Sequence, residues 1–357
     1  MNAEIKTGII FGSIVIVVMI CLVVIFTGLD ETLSLNQNSG VKKAPNLVGI
    51  EYYLNTSSEE LTKKIEGKVV LYDIWTYSCV NCIRTLPFIT SWNEKYEDQG
   101  LLIVGIHSPE FEFEKDPENV KVAIEKYGIT YPVVMDNNMK TWKAFENNYW
   151  PRKYIADHEG NIRYDHIGEG SYQETEKVIQ QLLDERSKAL GFDNINENKL
   201  VTTEEFKHTM SRTPELYFGY KFAQNRNQLG SEEGFQAERI VTYNQPNSIE
   251  LNKFYPIGNW KNNEDSMELI DSTGMIKVFF DAKEVNIVAE NDAELEIFLD
   301  GIPLTQKYSG SDINFENILE VSNPGMYNII NSETSISSIM EIKISGKGFQ
   351  AFTFTFG

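Results

Sequence analysis

Two of the three cysteines stand as Cys79-Val80-Asn81-Cys82, and that spacing is the clearest chemical feature of the chain. The stretch Val69–Pro87, VVLYDIWTYSCVNCIRTLP, passes from an apolar strand pattern through a short polar turn into helical spacing, so the C-x-x-C opens a helix. A helix N-terminus carries partial positive charge and unpaired amide donors, and both favour a thiolate. Cys79, at the exposed end, is therefore expected to be the low-pKa nucleophile. Cys82 follows one turn later, where it can close a tight disulfide or resolve a mixed one. The chemistry available to such a pair is dithiol–disulfide exchange.

Other residues fall around this pair. Asp73 precedes Cys79 by six positions on the strand and shares a face with Leu71 and Trp75 by the period of two. A carboxyl buried there would have a raised pKa and could move a proton to or from Cys82; the plainer reading is a partly solvated strand acid. Trp150-Pro151 opens the strand KYIAD, a place where a sheet tolerates proline. A cis bond would free the Trp150 backbone to pair with a bound peptide, a trans bond would only start the strand, and spacing leaves both open. Trp75, Tyr77 and Trp150 are expected to contact substrate, with packing as the alternative. His107 reads as a core residue. Glu110 and Arg152 can flank the site or stay solvated. The Asn55-Thr56-Ser57 sequon permits glycosylation outside a cell.

Stepping outward, the elements that must hold these residues form an alternating pattern. A short helix ends at Gly67, and strands follow at Val69–Trp75, Leu101–Ile106 and Val133–Met135. Helical segments run from Cys79 to about Tyr96, with Pro87 expected to kink the first, then at Asn119–Tyr127 and Met139–Phe145. Strands Lys153–Ala156 and Ile162–His166 flank the turn His158-Glu159-Gly160-Asn161, and an amphipathic helix from Tyr172 to Arg186 closes the unit. This order predicts an α/β fold with a mixed sheet covered by helices on both faces over 45–186. After a polar connector at 187–212, helical periodicity disappears. Short β-rich runs at 240–243, 276–280, 285–289, 295–299, 327–330, 339–344 and 351–356, with the hairpin signal Asp300-Gly301, predict an all-β jelly-roll or β-sandwich domain over 213–357.

Before these domains, Gly8–Leu29 carries no charge and is long enough to span a bilayer. Residues 1–29 therefore read as an uncleaved anchor, and the polar residues 30–44 as a stalk. Lys6 lies before the run and Asp30 and Glu31 after it, so the chain beyond the anchor is expected outside the cytoplasm. Cys21, inside the run, reads as a small apolar filler. The 357 residues hold 52 acidic and 32 basic side chains, a net charge of −20, which disfavours binding to nucleic acid. Two thiols cannot complete a structural zinc site, and the four histidines do not fall at metal-ligand spacings, so no metal is expected.

The strand–WTYSCVNC–helix unit resembles the thioredoxin superfamily, with Asp73, Cys79, Cys82 and Pro151 matching its buried acid, nucleophile, resolving thiol and cis-proline. More narrowly, GIEYYLN, WTYSCVNCIRTLP, GIHSPEFEFEKD, YPVVMD, YWPRKYIADHEGNIRYDHIGEG and TPELYFGY are similar to the soluble part of DipZ-type proteins in the TlpA-like branch. The resemblance is strong over about residues 44–220 and weaker in the β-rich tail. It implies a thioredoxin fold joined to a carbohydrate-binding-module-like domain. It further implies extracytoplasmic reduction of protein disulfides by a redox-active Cys79–Cys82 pair without other cofactor, supplied with electrons by a CcdA-type membrane partner. This chain departs from full-length DipZ in having one apolar span in place of a multi-helix electron-conducting domain, so a separate membrane reductase must be assumed.

Three alternatives stand beside reduction. The same steps run backwards make a disulfide-forming oxidase. A thiol peroxidase would use Thr76, three residues before Cys79, to position a peroxide. A surface module would bind glycan or protein through the β-domain and carry the thioredoxin-like part as scaffold.

Overall fold

A computed structural model describes residues 42–192, 199–206 and 211–357. The apolar run at 8–29, Cys21 within it, and the polar segment as far as residue 41 lie outside the described residues. Among the described residues, no helix is long and apolar enough to cross a membrane.

The first half is built on six strands: β1 (Tyr52–Leu54), β2 (Val69–Trp75), β3 (Leu101–His107), β4 (Val133–Met135), β5 (Arg152–Ala156) and β6 (Ile162–Ile167). Their order across the sheet is β1-β4-β3-β2-β5-β6. β2, β3 and β4 run parallel, while β1, β5 and β6 pair antiparallel with their neighbours. Every residue of the three parallel strands is buried, as expected of strands covered on both faces. Five helices accompany them: α1 (Ser58–Ile65), α2 (Val80–Tyr96), α3 (Pro117–Lys126), α4 (Lys140–Ala144) and α5 (Tyr172–Leu190). Local chemistry sets their starts. The Ser57 hydroxyl accepts from the Glu60 amide, and the Asp116 carboxylate accepts from the Glu118 amide, with Pro117 at the first helical position. α2 is assigned without a break through Pro87.

Alternation along β2 divides its side chains between two cores. Val70, Tyr72 and Ile74 join Leu102, Val104, Ile106, Trp142 and Phe145 on one face. Leu71, Asp73 and Trp75 face the other way. α2 buries Leu86, Ile89 and Trp92, each contributing about 1.5–3 kcal/mol of apolar burial. Lys42–Ala44, read from sequence as the end of a stalk, are already tied to the β5–β6 hairpin. The Ala44 amide donates to the Gly160 carbonyl, and the Ile162 amide to that of Lys42. In the hairpin itself the Asp157 carboxylate accepts from the Glu159 and Asn161 amides while Gly160 takes a φ of 82°.

Apart from a short helical segment, Tyr220–Ala223 continued by Gln224–Arg226, the second half is all β. Ten strands form one antiparallel sheet: β7 (Leu216–Tyr217), β8 (Ile240–Tyr243), β9 (Lys253–Asn262), β10 (Met267–Leu269), β11 (Thr273–Glu290), β12 (Ala293–Leu299), β13 (Ile302–Pro303), β14 (Ile318–Val321), β15 (Gly325–Ser345) and β16 (Gln350–Phe356). Two pairs of runs expected as separate strands are continuous here, as β11 and β15. Both are long, and their pairing shifts register near Ala282 and again near Val285, which lets the strands bend without ending. Inward-facing residues from the opposite ends of the sheet, Val241 and Tyr243 on β8 and Leu295 and Ile297 on β12, share one core. The sheet therefore folds over to enclose that core between its two ends. Asp300 and Gly301, with φ of 50° and 79°, make the two-residue turn that pairs Leu299 with Ile302.

Candidate active site

The site begins where β2 ends. Beyond Trp75 the chain turns through Thr76, Tyr77 and Ser78, and Cys79 caps α2. The Cys79 Sγ accepts the Cys82 backbone amide at 3.3 Å, and the Cys79 carbonyl accepts the first helical bond, from the Ile83 amide, at 3.0 Å. The sulfur thus occupies the place of a capping oxygen and takes an amide hydrogen otherwise without a partner. Both thiols are free, with 2.6 Å between the sulfurs. Cys79 is partly exposed and Cys82 is buried. Burial pushes the Cys82 thiol well above its usual range, aided by the Cys79 sulfur beside it and the Asp73 charge.

Beneath the pair, strand register brings three residues into one row. Asp73 on β2 lies opposite Gly105 on β3 and Lys153 on β5. Asp73 and Lys153 are both buried, and one Asp73 carboxylate oxygen has no hydrogen-bond partner. Burial pushes the Asp73 carboxyl up to about 6, and the Lys153 charge holds it from rising further. Burial also pulls Lys153 down, against the attraction of Asp73 and Cys82. The Lys153 ammonium donates to the Gly168 carbonyl at 3.1 Å. Lys153 did not emerge from the sequence. In the sequence it simply follows Arg152 at the start of a short strand, and its register opposite Asp73 is not visible there.

The Trp150–Pro151 peptide bond is cis. Trp150 is partly buried, lines the same cavity as Cys79, and donates its indole hydrogen to the Ser108 carbonyl at 2.9 Å. Trp75 and Tyr77 differ from expectation. Trp75 is wholly buried and meets His107 edge-on, and Tyr77 is buried between His107 and Phe113. Neither reaches a surface that substrate could touch, because the turn folds both side chains under the loop after β3. They shape the turn. Thr76 is likewise buried, with its hydroxyl 3.3 Å from His107 Nε2. Burial drives His107 down to about 3, so its ring is neutral. Arg152 pairs with Asp165 at 2.6 Å, on the strand beside it. The Asn55 side chain donates to the carbonyls of Ile129 and Tyr131, so its amide is engaged within the fold.

The loop after β3 locks the turn in place. Glu114, fully buried, accepts the Ser78 hydroxyl at 2.6 Å and the amides of Glu110 and Phe111 at 2.6 and 3.0 Å. The β-domain holds the loop from its far side. Phe352 packs on Phe111 and Phe113, and the Tyr217 hydroxyl lies 3.0 Å from Glu110. Arg84 of α2 pairs with Glu284 of β11 at 2.8 Å, both largely buried. A cavity of about 150 Å³ beside Cys79 consequently has walls from both halves: Asn81, Glu110 and Trp150 on one side, Glu215, Thr353 and Thr355 on the other. Nothing in the sequence pointed the β-domain at the thiols. Among the described residues no cluster of His, Cys, Asp or Glu could hold a metal ion.

The arrangement offers an amide-capped sulfur open to substrate, a buried sulfur behind it, and a buried carboxyl near the second. Comparison with known proteins agrees. Residues 40–183 match the family model described as Redoxin, and 213–357 the one described as Thioredoxin like C-terminal domain. Protein DipZ of Mycobacterium tuberculosis is 34% identical over 88% of this chain, as is that of Mycobacterium bovis. The chain spans 43% of the length of these DipZ proteins. Thiol-disulfide oxidoreductase YkuV of Bacillus subtilis is 32% identical over 40% of this chain and 94% of its own length. The chain belongs to the thioredoxin superfamily, among its TlpA-like and DipZ-type thiol–disulfide oxidoreductases.

Proposed function

We propose that this chain reduces protein disulfides outside the cytoplasm, from a membrane anchor, with Cys79 and Cys82 as its redox group and no other cofactor. The observation that carries this reading is the Cys79 sulfur at the cap of α2, bonded by the Cys82 amide, with the Cys82 sulfur 2.6 Å behind it. The Cys79 thiolate attacks one sulfur of a substrate disulfide. That S–S bond breaks, a mixed disulfide forms, and the electron pair leaves with the second substrate sulfur. Asp73 then takes the Cys82 proton, and the Cys82 sulfur displaces the remaining substrate sulfur from Cys79. The substrate gains two thiols and the chain holds the Cys79–Cys82 disulfide. Trp150, joined to Pro151 by the cis bond, borders the cavity through which the disulfide must arrive.

The uncharged run at 8–29, with Lys6 before it and Asp30 and Glu31 after it, supports the anchor and its orientation. Re-reduction is assigned to a membrane donor of CcdA type, as the similarity to DipZ implies. The peroxidase alternative loses its support, since the Thr76 hydroxyl is buried against His107. Equilibration of the full chain in detergent with glutathione buffers measures the direction. A reduction potential well below that of glutathione and catalysed reduction of insulin are expected, whereas a potential near about −120 mV, at the strong-oxidant end, overturns the reductive reading. A Cys82→Ser variant should accumulate mixed disulfides on Cys79, including one with the membrane donor.

A further inference from the structure

The cavity beside Cys79 contains a second acid whose surroundings differ from those of Asp73. Glu110 lies on the loop after β3 and lines the cavity together with Cys79. Across the cavity, β7 pairs with β16 and carries Glu215 and Tyr217 of the β-domain to the same place. The Tyr217 hydroxyl lies 3.0 Å from Glu110 Oε1 and 2.8 Å from Glu215 Oε2. A phenol has one hydrogen to donate and cannot serve two carboxylates at once. Both contacts are satisfied only if one carboxyl is itself protonated and donates to the phenol oxygen. The three oxygens therefore form a chain that holds one acidic proton, besides the phenol's own, next to the nucleophile.

We propose that Glu110 hands this proton to the sulfur that leaves when Cys79 attacks a substrate disulfide, and that the Glu215 charge of the β-domain, linked to Glu110 through Tyr217, keeps the proton on Glu110 until then. The proposal rests on the exchange reading above and adds the source of the proton. As the Cys79–substrate bond forms and the substrate S–S bond breaks, the electron pair passes to the leaving sulfur, which takes the Glu110 proton and departs as a thiol. Glu110, left as a carboxylate, regains a proton from solvent before the next turnover. Asp73 cannot fill this role, because it is buried under the sheet-side thiol and acts on Cys82.

The charges facing Glu110 agree with this assignment. Burial, with Glu215 and Glu114 close by, pushes its carboxyl well above the ordinary range, against the pull of the Tyr217 hydroxyl and of Arg226. The Arg226 guanidinium sits 4.8 Å from the centre of the Tyr217 ring. Glu114 is committed to Ser78 and two loop amides, and so holds the loop without sharing the proton. On this assignment the second domain is part of the catalytic apparatus, because without Tyr217 and Glu215 the acid on the first domain would face open water.

Leaving-group chemistry tests the proposal. Rapid mixing of the pre-reduced chain with bis(2-hydroxyethyl) disulfide, whose alkyl thiolate is basic, is compared with 2,2′-dithiodipyridine, whose leaving group departs without a proton. Both probes are neutral. In Glu110→Gln the ratio of the alkyl rate to the aromatic rate should fall about tenfold, less than the roughly 100-fold or more usual for acid catalysis because sulfur is a good leaving atom. An unchanged ratio overturns the proposal. In Glu215→Gln, which loses a like charge beside Glu110, the pH above which the alkyl rate declines should move down; an unmoved limb also overturns it, and this variant suffices if Glu110→Gln does not fold. Failure of the exchange reading itself looks different: Cys79→Ser would then react with dithiodipyridine as the wild type does.

Discussion

Replacing Asp73 by Asn removes one proton acceptor from beneath the thiols and leaves the shape of the site nearly unchanged. Burial sets the wild-type carboxyl at about 6, from an ordinary 3.8. At pH 7 it is roughly nine-tenths ionised and at pH 5 roughly one-tenth, since each pH unit changes the ratio tenfold. The Cys82 thiol is also pushed up, well above the usual thiol range, so unaided it supplies little thiolate at neutral pH. The resolving step should therefore follow ionisation of Asp73, rising through about pH 6 and levelling above it. In Asp73→Asn the step must wait for spontaneous ionisation of Cys82. It should slow by about 100-fold at pH 7, the lower part of the range for general bases, and climb steadily through alkaline pH without the inflection. Stopped-flow release of the second thiol from a mixed disulfide preformed on Cys79, at pH 5 to 9, measures both quantities. If the variant keeps the inflection near pH 6, or resolves as fast as the wild type, Asp73 is not the base.

Three further outcomes follow from the same row of residues. Lys153→Met takes away the charge that restrains Asp73, so the inflection of the resolving step should move up by about one pH unit in the same assay. Because the folded pKa of Asp73 lies above its ordinary value, its contribution to stability is fully present below 3.8 and lost as pH rises through about 6. The shift corresponds to about 3 kcal/mol at most, so urea unfolding at pH 3.5 and pH 7.5 should show the wild type losing up to that much relative to Asp73→Asn. At Gly105 an added Cβ would sit 3.0 Å from Trp75 Nε1 and 3.2 Å from Val133 Cγ2. Gly105→Ala should therefore cost about 1–3 kcal/mol, read as a lower denaturant midpoint.

Much of the first domain was legible because local rules set it. Apolar runs of three to seven residues bounded by turn residues read as buried strands, and Cys79 followed by helical spacing reads as the cap of what comes next. The glycine at 160 and, in the second domain, the Asp300-Gly301 pair each had one workable geometry. In the second domain the runs were found but their continuity was not. A bulge near Ala282 bends β11 without ending it, and no residue pattern distinguishes that from a loop. Trp75 and Tyr77 were misread for a related reason. Position beside the thiols in sequence gives no information about the loop after β3, which closes over both rings.

The sequence by itself determined which atoms can exchange electrons, the helix end that favours a sulfur anion, and the presence of an acid on the preceding strand, because each depends on residues a few positions apart. Tertiary structure alone decided that Lys153 faces Asp73, that the Trp150–Pro151 bond is cis, and that Glu110, Glu215 and Tyr217 meet beside Cys79. Those pairings join residues remote in the chain. They arise from strand register and from the packing of one domain on the other, which are set by the total burial of both cores and are not encoded in any local spacing.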